Sequence, residues 1–476
     1  MTGMKTETGP GGARRALPAL ALSMLLASLG VSIANVALPT LARAFASPFQ
    51  SVQWVILAYL LAVTVMSVAV GRLGDLVGHR RVLLAGLALF TLASAACGLA
   101  QGLGVLIAAR LVQGLGAATM MAITIALVRE TVQGGRTGSA IGLMGTVSAV
   151  GTALGPSLGG LLLAGFGWRA LFLILVPMGL ANMLMLVRAL PAQRRPEGSV
   201  FRSLDATGML VLGGTLAAYA LSATWRGGAS GFWNAGLLAL AGLGTGLFIA
   251  VERRAASPLI PLSVLRGGGL MGSLALNGLV ASVMMATLVV GPFYLTIAFG
   301  LKAAMVGLVL SVGPVISALT GVPAGRLVDH LGAGLGMVIG LIAMVGGSFA
   351  LALVPPLFGL AGYVGAMAVL TPGYQLFQAA NTTQAMTGAC PDQRGLVSGL
   401  LGLSRNLGLL TGASVMGTLF AAATGAADPA DAMPGEVTVG MVTVFVTAGA
   451  LMLVALLLAG HREIGARRQA VRPPCG

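Results

Sequence analysis

Charge is what this chain has least of. Only 8% of its 476 residues are Asp, Glu, Lys or Arg, against roughly 25% in a soluble protein. With 57% hydrophobic residues and a mean hydropathy of +0.97, it cannot hide its apolar surface from water. Its solvent is therefore lipid. Aromatics make up only 5%, while glycines number 72. Small residues let membrane helices approach closely, so this glycine reads as packing material. The three cysteines, Cys97, Cys390 and Cys475, form no spaced cluster, and their odd number argues against a disulfide framework. The three histidines, His79, His330 and His461, are far apart in sequence and show no metal-ligand spacing. No metal and no cofactor is expected. A phosphate-binding loop is also missing, so ATP is not the direct energy source and nothing supports an enzyme.

What the chain does have is a basic excess of +15. Nucleic-acid binding is the usual alternative for such a balance. It is excluded here because the basic residues are spread through short loops between apolar runs, where they act as topology signals. A spanning helix needs about 20 apolar residues. Fourteen runs qualify, near 17–43, 52–71, 82–101, 104–128, 137–165, 169–190, 206–225, 234–251, 268–298, 303–324, 335–354, 357–387, 396–423 and 438–460. Arg14 and Arg15 before the first run imitate a signal peptide, but the run continues to about Leu41 and reads as a span. Of the 27 Lys and Arg, 21 fall in loops on the side of the termini and four on the other, namely Arg43, Arg169, Arg226 and Lys302. Arg110 and Arg405 fall inside spans. This bias places both termini in the cytoplasm.

The chain repeats itself. Gly71-Arg72-Leu73-Gly74-Asp75-Leu76-Val77-Gly78 recurs 254 residues later as Gly325-Arg326-Leu327-Val328-Asp329-His330-Leu331-Gly332. Gly142, Gly145, Gly151, Gly155 and Gly160 recur 257 residues later as Gly399, Gly402, Gly408, Gly412 and Gly417. Two similar offsets mean one unit copied in the same direction, the plan of a transporter with its site between the repeats. The expected fold is all-α, with fourteen transmembrane helices in two parallel six-helix bundles and a two-helix insert. The expected division is a first bundle over 1–195, a linker and insert over 196–258, and a second bundle over 259–476.

Several residues carry chemistry. Asp75 and Asp329, beside Arg72 and Arg326, sit in the repeated turn, where a carboxylate can cap a helix or latch onto an arginine. Arg110 at lipid depth costs about 2.5–3.5 kcal/mol on insertion scales unless it faces a cavity or a partner. Gln113 is one turn away and can share its hydrogen bonds. Arg405 and Asn406 lie near the middle of their span, where the other half has Ser148, so this charge belongs to one half only. Gln375, Gln378 and Asn381 share one helix face. They are expected to line a substrate cavity or to bond neighbouring helices, and Asn35, Tyr59, Asn277 and Tyr294 join them as cavity candidates. Met120, Met121, Met284 and Met285 supply either a pliable wall or plain packing. Gly151, Gly155, Pro156, Gly159 and Gly160 give a kinked helix with a bare face for a neighbour.

The segment from Gly71 to Arg81 resembles the loop motif of the major facilitator superfamily, with Leu76 and His79 where that family often has basic residues. Asn35-Val36-Ala37-Leu38-Pro39, Gln53-Trp54, Arg110-Leu111-Val112-Gln113-Gly114, Pro258-Leu259-Ile260-Pro261-Leu262 and Arg394-Gly395 are similar to segments of its fourteen-helix drug:proton antiporters. Gly151 to Gly160 resembles the antiporter motif of exporters. The resemblance implies two bundles rocking about a central site, with Arg110 in a proton relay. Relatives often carry an aspartate in the first helix where this chain has Gly30. All twelve acidic residues fall away from mid-membrane, so proton coupling through a first-helix carboxylate is excluded. Two buried arginines are instead expected to make the cavity electropositive. The reading is a monomeric transporter of the bacterial cytoplasmic membrane. It exports a small amphipathic or anionic compound against protons. The alternatives are a facilitator or importer of an anionic metabolite, and a membrane sensor or lipid-handling protein.

Overall fold

In a computed structural model, the described residues are 10–131, 137–190, 206–224, 232–254, 269–387, 394–426 and 429–468. Among them there are helices and no strands. Thirteen helices are long and apolar enough to cross a membrane, and a shorter apolar helix makes the fourteenth. We number them α1 to α14. The first half is α1 (Pro10–Ser32, continued by Asn35–Ala37 and Leu38–Ala44), α2 (Phe49–Val77), α3 (His79–Gly98), α4 (Leu103–Thr131), α5 (Thr137–Phe166) and α6 (Ala170–Leu173 with Leu175–Ala189). The insert is α7 (Ala206–Thr224) and α8 (Phe232–Arg254). The second half is α9 (Leu270–Phe293, then a wide turn Tyr294–Ala298), α10 (Ala303–Leu331), α11 (Ala333–Leu353), α12 (Pro355–Thr387), α13 (Arg394–Thr411, Gly412–Met416 and Gly417–Ala423) and α14 (Pro434–Arg468).

Packing follows the repeat. In the first half α1 rests on α4, α5 and α6, while α4 takes α2 and α3. In the second half α9 rests on α12, α13 and α14, while α12 takes α10 and α11. Each contact of one half has its counterpart in the other. The halves meet chiefly along two seams, α5 against α10 and α2 against α13, and the end of α1 also touches α9 and α10. Helix α7 packs on α8, on α2 and on the middle of α13, so the insert covers one of the two seams.

The repeated Gly-Arg segment is not a loop. Helix α2 runs through Gly71, Arg72 and Asp75 to Val77, and the turn shrinks to Gly78 at φ 99°. Its copy behaves alike: α10 runs through Arg326 and Asp329, and Gly332 turns at φ 83°. Both turns need a left-handed residue, which glycine adopts without a Cβ penalty. Gly74 is bare for a second reason, since a Cβ there would lie 2.6 Å from Ile123 of α4. Glu252, just beyond the eighth apolar run of the sequence, is buried near the end of α8.

Candidate functional site

Two arrangements stand out: a sealed polar knot inside the first half, and a seam between the halves. The knot is built on Arg110, whose side chain is wholly buried. Its Nε donates to the Val55 carbonyl at 2.9 Å and its Nη1 to the Gly30 carbonyl at 3.0 Å. Nη1 also donates to Gln113 Oε1 at 2.5 Å, and Gln113 Nε2 donates to Ser94 Oγ at 2.7 Å. The guanidinium lies 4.1 Å from the Tyr59 ring centroid, and the Tyr59 hydroxyl donates to the Ala27 carbonyl at 3.0 Å. Five donors in a rigid fork suit this job, because one side chain ties α1, α2 and α4 together. Arg110 Nη2 has no partner. The partners are neutral, and a Cβ at Gly30 would stand 3.0 Å from Phe90 and 3.2 Å from the Tyr59 hydroxyl. The ground a first-helix carboxylate would occupy is filled by rings.

The expected electropositive cavity does not form from this pair. Arg110 is sealed within one half, and Arg405 is exposed, with Asn406 half-buried beside it. On the polar face of α12, two of the three residues bond neighbouring helices. Gln375 bonds Ser317 of α10, Gln378 bonds Tyr374 of its own helix, and Asn381 donates to the Ser273 carbonyl of α9 at 3.2 Å. Asn277 donates to the Leu401 carbonyl of α13 at 2.8 Å. Tyr294 packs in the core against Phe299 and Tyr363. Asn35 is buried with both amide atoms unpartnered, where α1 narrows to a tighter turn. Met120 and Met285 are core residues. Asp329 and Arg326 are exposed; the side chains of Arg72 and Asp75 lie outside the described residues.

The glycine-rich face of α5 makes two contacts. Gly151, Gly155 and Gly159 take α1: a Cβ on Gly151 would stand 2.8 Å from the Leu25 carbonyl, and one on Gly159 3.0 Å from the Ile33 carbonyl. Gly160 faces the other half, where a Cβ would stand 2.5 Å from the Ala303 carbonyl and 2.9 Å from Gly307 Cα. Gly307 in turn abuts the carbonyl of Pro156. The second copy of this face repeats the plan on α13. Gly408 and Gly412 take α9, and Gly417 faces Gln53 of α2. Gln53 is the counterpart of Gly307, 254 residues earlier, and Ala413 is the counterpart of Pro156, 257 residues later. Gln53 Nε2 donates to the Ala413 carbonyl at 3.1 Å. So one seam closes by backbone against backbone, and the other by an amide reaching a carbonyl in the wide turn of α13. Phe49 of α2 stands edge-on to Phe293 and Phe420 of the second half, with centroids 4.8 and 6.0 Å away. The contacts Gly160–Gly307, Gln53–Ala413 and Phe49 with Phe293 and Phe420 lie at the end of the bundle away from the termini, which we call the distal end. Sequence reasoning missed Gln53 as a seam residue; its repeat position opposite Gly307 was the available signal.

A family model described as Major Facilitator Superfamily matches residues 20–413. The chain is 32% identical over 417 residues to the multidrug resistance protein Stp of Mycobacterium tuberculosis, covering 85% of this chain and 75% of Stp. It is 27% identical over 403 residues to the riboflavin transporter RibZ of Clostridioides difficile, covering 84% of this chain and 87% of RibZ. Its fold is similar to that of a bacterial homologue of the human lysosomal transporter Spinster, solved inward-facing and unoccupied. That match has a TM-score of 0.65 at 15% identity and covers 95% of this chain and 97% of the other.

Proposed function

The chain belongs to the major facilitator superfamily, and on that premise we propose that it is a proton-coupled exporter of a small amphipathic compound, working by alternating access in the cytoplasmic membrane. The observation that carries this reading is the distal seal. Two pseudo-symmetric seams, at Gly160–Gly307 and at Gln53–Ala413, close one end between two bundles of like construction. Packed interfaces of this kind are bistable rather than continuously deformable. With the termini cytoplasmic, as the charge bias directs, the sealed end is external and the state is inward-facing. The chain acts as a monomer, since one copy supplies both bundles. Asp75 and Asp329, with Arg72 and Arg326, serve the opposite end as gate residues. The glycine and proline motif of α5 fits export because it builds the external seam. The multidrug name of Stp supports this direction.

The substrate is amphipathic rather than anionic, because Arg110 is wholly buried inside one half, with its Nε and Nη1 bonded there. Arg110 therefore acts as the brace of the first bundle, and proton coupling does not use a carboxylate beside it. A second reading, import of a metabolite, is favoured by the relation to RibZ. Flux in everted vesicles separates the two. Export predicts accumulation of amphipathic dyes inside everted vesicles only while their interior is acid. Accumulation in right-side-out vesicles, or indifference to the gradient, overturns it.

A further inference from the structure

Helices α9 and α13 cross where glycines meet: a Cβ on Gly408 would run into the Gly278 carbonyl. Along this crossing the two helices leave a groove of 460 Å³, which runs from Met271 to Ser282 on α9 and from Leu400 to Thr411 on α13. Its lining includes Met271, Leu274, Ala275, Leu403, Leu407 and three hydroxyl residues, Ser282, Ser404 and Thr411, and holds no charged side chain. Every one of those hydroxyls has spent its proton. Ser282 shares its one proton between the carbonyls of Gly278 and Gly408, at 2.9 and 2.8 Å. Ser404 donates to the Leu274 carbonyl at 2.5 Å and Thr411 to the Leu407 carbonyl at 2.8 Å. A hydroxyl has one proton and two lone pairs. What the wall still offers is acceptors without donors.

We propose that this groove between α9 and α13 is a substrate subsite for uncharged, flat, apolar molecules that carry a hydroxyl or amide N–H, and that it rejects anions. The apolar wall takes the body of the molecule. Ser404 and Thr411, both half-buried, accept its proton. An anion finds no N–H or O–H to replace its water shell, and burying it unpaired is costly. A neutral ether of the same shape fits but leaves its oxygen facing other oxygens. The groove lies on the termini side of the distal seal, where a ligand of the inward-facing state would enter. Its role as a subsite rests on the transport reading, but binding is measured without flux.

The test uses three probes of one shape on the purified full-length protein in nanodiscs: 1-naphthol, 1-methoxynaphthalene and 1-naphthalenesulfonate. Fluorescence titration should rank the naphthol about fivefold tighter than the ether, the worth of a neutral hydrogen bond, and show no saturable sulfonate binding. Thr411→Val keeps the shape, loses the acceptor and should shrink the naphthol advantage while leaving the ether unchanged. Ala275→Trp fills the groove from an exposed position and should abolish binding of naphthol and ether alike. The proposal is overturned if the sulfonate binds best, or if naphthol and ether bind equally. It is also overturned if Ala275→Trp leaves binding intact, the result expected of probes dissolved in lipid. Binding as proposed without any flux would leave the groove assigned and remove the exporter.

Discussion

Gly307→Ala puts one methyl group into the seam between the halves. That methyl would lie 2.9 Å from Gly160 Cα and 3.1 Å from its N, and closer still to the Pro156 carbonyl. All three neighbours are backbone atoms of a helix already pinned against α1 by Gly151, Gly155 and Gly159, so none can swing aside. The protein must keep the seal and absorb the clash, or open it. Overpacking of this kind costs about 1–3 kcal/mol, which shifts the sealed-to-open ratio roughly 5- to 150-fold. The fold itself should survive, because the open state removes the clash without unpacking either bundle. The readout is a spin-label distance between Gly165→Cys and Lys302→Cys, two exposed sites flanking the α5–α10 seam at its distal end. They are placed in a background with the native cysteines replaced. Wild type should give a short distance population in the absence of substrate, and Gly307→Ala a longer one, with unchanged helix content. An unchanged distance distribution in a well-folded variant would refute the seam as a point of closure.

The second seam should respond more mildly. Gln53→Leu removes one amide-to-carbonyl bond worth about 0.5–1.5 kcal/mol, so distances across α2 and α13 should lengthen in a smaller fraction of molecules than Gly307→Ala produces across its own seam; an equal or larger shift would contradict the ranking. Arg110→Lys keeps the charge but cannot bond Val55, Gly30 and Gln113 while stacking on Tyr59. It should lower stability by about 2–3 kcal/mol, and Arg110→Ala by more, as a falling thermal midpoint in detergent; equal midpoints for all three proteins would show that the knot braces nothing. Asp431→Cys should react with an impermeant thiol reagent on intact cells and Arg81→Cys should not, both positions being exposed; the reverse pattern inverts the topology and with it the transport direction.

Much of this architecture is written in composition and period. Low charge and runs of about 20 apolar residues locate the helices, and the offsets of 254 and 257 residues pair the halves. The repeated Gly-Arg segment misled in one respect. Its polar residues suggest a loop, yet α2 and α10 carry the helix through it and turn on a single glycine. Polarity marks where a helix leaves the apolar layer, not where its backbone hydrogen bonds stop. Arg110 was legible as a residue needing partners, but its partners are mostly the backbone carbonyls of Val55 and Gly30, which carry no side-chain signature. Gln375, Gln378 and Asn381 share a face as expected, and only packing decides that this face bonds α9 and α10. Arg405 shows the same limit from the other side. Its depth along α13 follows from counting residues, while its exposure depends on how α13 is rotated against α9.

Alternating access is the central claim, and a reversible tether across the distal seal tests it most directly. Phe49 and Phe420 face each other from opposite halves with ring centroids 6.0 Å apart. Phe49→Cys with Phe420→Cys can be bridged by a short bifunctional thiol reagent containing a reducible disulfide, while each single variant, treated alike, controls for the labels. The account predicts that bridging stops dye flux in everted vesicles, that reduction restores it, and that the single variants transport before and after treatment. Undiminished flux through the bridged protein would contradict it.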